Sequence, residues 1–335
     1  RLVKKYFKEC NLLSAYAFNM LTSSIPLLRI IVNCPMRFSP LILFAGLLSC
    51  SVWFGCDKNL TEDIHIDTTI SNNDPPPYTG VSAVQITNYI NKLYIDLLGR
   101  APGQAELSAG IDYLIDHDLS DSAKDTLIAQ LMDQKEYYKV FFSTTSADFI
   151  NAVDSATIDY QIQIIKLIYY VDSLDGNSGN FIYYQYELNR LYRLQDITHH
   201  FMTGTVTINE YFAAFLDNYF YDQVNMGSEN FVKGSFSDLF RRIPTESELT
   251  NGVTMVDNNP ALLFMKDGDS KGDYISIVTT NHEFYEGLVI KAYSQLLLRD
   301  ATSQELTIGT SSLELSNDYP AFQKQLMKSI EYAGF

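Results

Sequence analysis

The chain has 335 residues, and its 40 Asp and Glu outweigh 24 Lys and Arg to give a formal charge of −16. A field of that sign repels nucleic-acid phosphates and anionic lipid headgroups, so nucleic acid is not an expected partner. All four cysteines, Cys10, Cys34, Cys50 and Cys56, fall within the first 56 residues. The remainder therefore has no disulfide, no cysteine-based zinc site and no Cys-x-x-Cys-His haem attachment.

Residues 1–35 carry Lys4, Lys5, Lys8 and Arg29 without a usable apolar period, and read as sequence upstream of a start at Met36. A membrane segment over residues 12–32 is the competing reading, interrupted by Asn19, Arg29 and Ser23-Ser24-Ile25-Pro26. Residues 36–56 read as a secretion signal: Met36-Arg37 is the positive start and Leu41 to Leu48 the apolar core. That core is shorter than the roughly 20 residues a spanning helix needs. Ser49-Cys50 and Gly55-Cys56 each place a small residue before a cysteine, which resembles the lipobox of bacterial lipoproteins. The resemblance implies an acylated cysteine, a membrane held through that lipid, and an outer-membrane address facing the periplasm or the cell surface. Cys56, followed by polar Asp57-Lys58-Asn59, is the expected lipidation site; Cys50, preceded by Leu47-Leu48-Ser49, is the alternative. Residues 57–81, with Pro75-Pro76-Pro77, read as a polar, stiffened linker.

A phrase then recurs three times: an aromatic, two hydrophobics, an arginine, and Glu-Leu six and seven residues later. It runs Tyr94, Leu97, Leu98, Arg100, Glu106, Leu107; then Phe236, Leu239, Phe240, Arg242, Glu248, Leu249; then Tyr293, Leu296, Leu297, Arg299, Glu305, Leu306. Before each arginine the apolar steps of four, three and one trace a single helix face. After it, Thr245-x-x-Glu248 and Thr302-x-x-Glu305 are capping boxes that open a new helix, and Pro102-Gly103 occupies the same turn in the first copy. Glu136-Tyr137, Glu283-Phe284 and Glu331-Tyr332 form a later recurring piece. The expected fold is all-α, an array of helix-turn-helix units: unit one over 82–142, units two and three over 228–335. Between them, 143–227 is expected to be a tyrosine-rich helical insert or degenerate copy, with two or three helices over 143–205, Thr207-x-x-Glu210 as a capping box and Gly204 where the arginine stands elsewhere.

Leu97-Leu98-Gly99-Arg100-Ala101-Pro102 resembles the helical domain of unknown function found in secreted bacterial adhesins and repeat-containing surface proteins. Glu283-Phe284 and Glu136-Tyr137 are similar to that family's later Glu-Phe element, while Glu-Leu at 106, 248 and 305 replaces its Gly-Leu and its tryptophan is missing. The resemblance implies a secreted helical module and assigns no catalytic residue.

Arg100, Arg242 and Arg299 are expected to close helix ends and pair with Glu106, Glu248 and Glu305, in preference to forming an anion-binding row. His199-His200 lacks metal-site spacing, because adjacent residues on a helix point to different faces. Asp267, Asp269 and Asp273 lack the closing glutamate of a calcium loop and read as a solvated turn. No metal and no cofactor are expected. With 23 tyrosines, the segment bearing Tyr169, Tyr170, Tyr183, Tyr184 and Tyr186 is the candidate ligand surface, since a tyrosine packs its ring and keeps its hydroxyl wet. The chain shows no nucleophile elbow and no phosphate-binding glycine loop. The expected function is a non-catalytic, envelope-anchored interaction or scaffold module with an envelope protein or glycan as partner. A glycan-binding lipoprotein is the alternative, and an acid/base hydrolase built from its many carboxylates comes third.

Overall fold

Side-chain oxygens open most of the helices. Ser82 accepts from Gln85, Thr207 from Glu210, Thr245 from Glu248 and Thr302 from Glu305, and in each the residue three positions on returns a bond to the cap backbone. Such reciprocal caps satisfy amide groups that no helix can satisfy internally. The structure, a computed structural model, describes residues 80–176 and 179–335. The signal segment 36–56, Cys50, Cys56, residues 1–35 and the linker up to residue 79 lie outside the described residues.

The fold is all-α. In chain order the helices are α1 (Ala83–Leu98), α2 (Gln104–Asp116), α3 (Asp121–Met132), α4 (Lys135–Ile150), α5 (Ser155–Leu174), α6 (Phe181–Met202), α7 (Ile208–Leu216) and α8 (Tyr219–Val224). They continue with α9 (Ser228–Phe240), α10 (Glu246–Val256), α11 (Lys271–Thr279), α12 (His282–Ala292), α13 (Ser303–Ser316), α14 (Tyr319–Lys328) and α15 (Ile330–Ala333). α12 runs straight into a π-helical turn, Tyr293–Leu297. One antiparallel hairpin, β1 (Ala261–Leu263) and β2 (Lys266–Gly268), stands between α10 and α11. Among the described residues no helix is long and apolar enough to cross a membrane.

The core is ring-rich. Tyr137, Phe149, Tyr211, Phe212, Phe215, Tyr221, Phe284 and Tyr319 are buried, with Tyr211 5.0 Å from Phe141 and 5.2 Å from Phe215 between ring centres. α9 and α12 cross at Gly287, where a Cβ would lie 1.9 Å from the Leu239 carbonyl oxygen, so only glycine fits. The last helix and the two residues after it pack on α1 and α3: Tyr332 donates to Asp96 (2.8 Å), Gln85 to the Gly334 carbonyl (2.9 Å) and Lys124 to that of Phe335 (3.1 Å).

Two expectations are corrected. Residue 142, set as the end of the first unit, falls inside α4, because the helix continues to bury Thr145, Ser146, Phe149 and Ile150. Over 143–205, where two or three helices were expected, the chain forms the second half of α4, then α5 and α6, and α7 opens at the Thr207 capping box. The aspartate-rich stretch is the second strand of a hairpin and a helix cap: Asp273 accepts from the Asp269 amide (3.1 Å) and the Ser270 hydroxyl (2.6 Å) at the start of α11.

Candidate functional site

At each repeat arginine the preceding residue turns left-handed and ends its helix: Gly99 (φ 67°), Arg241 (φ 57°) and Leu298 (φ 55°). The guanidinium then folds back over the recurring aromatic ring, 5.4 Å from Tyr94, 5.0 Å from Phe236 and 5.2 Å from Tyr293. It forks onto the glutamate six residues on. Arg100 meets Glu106 at 2.7 and 2.7 Å, Arg242 meets Glu248 at 2.8 and 2.7 Å, and Arg299 meets Glu305 at 2.8 and 2.8 Å.

A second carboxylate completes two of these clamps. Arg242 donates to Glu283 at the start of α12 (2.5 and 2.9 Å), and Arg299 to Glu331 in α15 (2.6 and 2.7 Å). Together with the bonds to the Ile243 and Asp300 carbonyls, these use all five N–H donors of Arg242 and of Arg299. A guanidinium so saturated has nothing left for an external anion. In the first copy Glu136 acts on Arg100 through charge alone. The forked bond from the arginine, helped by the cap amide, holds the carboxyls of Glu106, Glu248 and Glu305 at about 2. The structure therefore brings each motif arginine and glutamate together as a joint between helices.

The candidate tyrosines divide into two sets. Tyr169 and Tyr184 face inward between α5 and α6: Tyr169 lies 4.6 Å from Phe181, and the Tyr184 hydroxyl donates to Asp172 at 2.7 Å. Tyr170, Tyr183 and Tyr186 are 59%, 59% and 48% exposed, in company with exposed Tyr160, Leu167, Leu174 and Ile182. Beneath them Arg190, 6% exposed, sits 5.0 Å under the Tyr186 ring and pairs with Glu187 (3.1 Å), Asp217 (3.2 Å) and Asp222 (2.5 Å). Burial pushes the Glu187 carboxyl up, against the pull of Arg190. This ion cluster had no signature in the sequence beyond an arginine three residues after a glutamate. The histidine pair His199-His200 closes α6, with His200 Nδ1 3.0 Å from the Thr205 hydroxyl. Among the described residues no group of three or more His, Cys, Asp or Glu is placed to hold a metal ion.

A cleft that motif reading missed lies where α4, α9 and α12 meet. It encloses about 370 Å³ and is lined by Asp148, Asp238, Arg241, Lys291, Ser294 and Gln295 over a floor of Phe149, Phe212 and Phe284. A smaller cavity of about 50 Å³, bounded by Asp96, Tyr137 and Tyr319, shares the Phe212, Lys291 and Gln295 walls. Asp96, Asp238 and Gln295 each stand four residues before a motif arginine. That polar position on an otherwise apolar helix face is the signal that could have located the cleft. Comparison with protein families, with curated proteins and with solved structures finds no match for the chain.

Proposed function

We propose that this chain is a non-catalytic interaction or scaffold module of a bacterial envelope, akin to the secreted helical modules its Leu-Leu-Gly-Arg-x-Pro motif resembles. It is held at the outer membrane by a lipid on Cys56, with Cys50 as the alternative. The observation that supports this reading is the α5–α6 hairpin. Its two helices leave Tyr160, Leu167, Tyr170, Leu174, Ile182, Tyr183 and Tyr186 exposed. Seven large apolar side chains grouped on two neighbouring helices mark a surface for association, since isolated ones are ordinary but a group is not. A protein partner of the envelope is the expected occupant. A glycan is the second reading, favoured by the exposed Tyr183 and Tyr186 rings above the buried Arg190 and its carboxylates.

The test combines anchor and surface. Cells fed a clickable fatty acid are expected to label the wild-type chain and to lose the label in Cys56→Ala or, for the alternative site, in Cys50→Ala. Label retained in the double variant removes the anchor from the reading. A photo-crosslinker placed at residue 183 is expected to trap one envelope protein in stoichiometric yield, and Tyr170→Ser with Tyr186→Ser to abolish the adduct at an unchanged melting temperature. A thermal shift with an oligosaccharide that the same substitutions remove selects the glycan instead. Turnover of a polysaccharide ends both readings.

A further inference from the structure

The cleft between α4, α9 and α12 has the marks of a binding site independent of the tyrosine surface. Its volume falls in the range of small-ligand pockets. Its polar groups converge from separate elements: Asp148 from the end of α4, Asp238 and Arg241 from the end of α9, Lys291 from α12, and Ser294 and Gln295 from the π-helical turn. That turn is itself informative. The helices before Arg100 and Arg242 stay α-helical to their ends, and only the third widens, at the residues that line the cleft. π-Turns within helices concentrate at functional sites because they re-aim side chains at the cost of regular bonding. Here Lys92 donates to the Leu296 carbonyl at 3.0 Å and steadies the widened turn.

The charges inside are arranged unevenly. Lys291 is spent on Asp148, 2.7 Å away. Asp238 takes one hydroxyl bond, from Tyr221 at 2.8 Å, and has no cation within salt-bridge distance among the described residues. Burial pushes its carboxyl up to about 6, against the pull of Arg241 and Lys291. Arg241 lies near enough to act on Asp238 through charge, yet it makes no hydrogen bond or ion pair among the described residues. A half-buried carboxylate without a cation partner and an exposed guanidinium without a protein acceptor therefore line the same small space, beside three phenylalanine rings.

We propose that this cleft binds a small dipolar ligand, a free α-amino acid or a dipeptide, with its ammonium on Asp238 and its carboxylate on Arg241. Ser294 and Gln295 supply hydrogen bonds along the ligand backbone, and Phe149, Phe212 and Phe284 take its apolar side chain. The two opposite charges of the ligand match the two unpaired charges of the cleft, whereas a neutral sugar leaves both without a counter-ion. The half-buried Asp238 gains most from such a pairing, and the exposed Arg241 adds charge and orientation at the cleft mouth.

The test is calorimetry on the purified full chain with the protein-building L-amino acids and their X-Ala dipeptides, which separates the two ligand sizes. Each binder is then compared with its N-acetyl and its C-amide derivative, and with cellobiose as a neutral polyol. At least one free form is expected to bind, and either blocked form to bind about tenfold or more weakly. In Asp238→Asn the penalty of N-acetylation is expected to vanish, and in Arg241→Gln that of amidation, each substitution coupling to one end of the ligand only. Arg241 is exposed, so its variant keeps the fold, and the blocked ligands test the wild-type chain without any substitution. No binding by any amino acid or dipeptide overturns the proposal. So does equal affinity for free and blocked forms, or binding of cellobiose alone.

Discussion

The two-sided guanidinium of Arg242 shows how one side chain can be structural without being buried. It is a third exposed, yet it ties the cap of α10 to the start of α12 through Glu248 and Glu283. Arg242→Ala strands both carboxylates beside a helix start and is expected to cost on the order of 1–2 kcal/mol at neutral pH, a cap plus a charge-assisted pair. The acid side follows from Glu248, whose folded carboxyl lies at about 2 against an ordinary 4.5. Its contribution is full above about pH 4.5 and is lost as pH falls towards 2. Urea titrations are therefore expected to show wild type and variant converging between these two values. A difference that stays constant down to pH 2 contradicts the clamp. Much of this joint was legible in the sequence, because the arginine, the Thr-x-x-Glu box and the aromatic sit within a dozen residues of one another. The second carboxylate was legible only as a recurring Glu-Phe or Glu-Tyr: its partnership spans 41 residues from Arg242 to Glu283 and 32 from Arg299 to Glu331, and no local rule reaches so far.

At the scale of elements, the crossing of α9 and α12 depends on one missing methyl group. Gly287→Ala places a carbon against the Leu239 carbonyl, so the helices must separate, at an expected cost on the order of 3 kcal/mol. Gly272→Ala is the control. Its new carbon meets nothing nearer than 3.8 Å, in a helix with ordinary dihedrals, and the change is expected to be neutral or stabilising by up to about 1 kcal/mol. Thermal melts of the two variants decide it, and equal melting temperatures contradict the crossing. Helices announced themselves through caps and periodic apolar faces, which are local chemistry. The hairpin did not. Its turn residues Phe264 and Met265 both adopt positive φ without the glycine or asparagine that advertises such a turn. The π-turn was equally silent, because Tyr293-Ser294-Gln295-Leu296-Leu297 keeps the apolar spacing of the other two copies. The cleft inherits that silence: its walls come from α4, α9 and α12, far apart in sequence.

For the molecule as a whole, the shortest helix closes the described body. α15 brings Tyr332 to Asp96, Glu331 to Arg299 and Phe335 to Tyr89, 5.5 Å between ring centres. Removing residues 330–335 exposes the Tyr89 side of α1 and leaves the Asp96 carboxylate without its hydroxyl donor. The expected loss is at least about 3 kcal/mol, the scale of a deleted buried aromatic with its hydrogen bond. An unchanged urea midpoint for the truncated chain contradicts a closing role.

α12 carries a further consequence. Its first turn supplies Glu283 to the Arg242 clamp, and its far end widens into the turn that leads to Arg299. Lys291 and Gln295, which face the cleft, ride on the same rod. The helix is thus a lever with a pinned joint at each end and the cleft along its side. A ligand that tilted it by a fraction of an ångström would load both joints at once. Occupancy of the cleft would then be felt at α10 and at α13, which make no contact with the ligand.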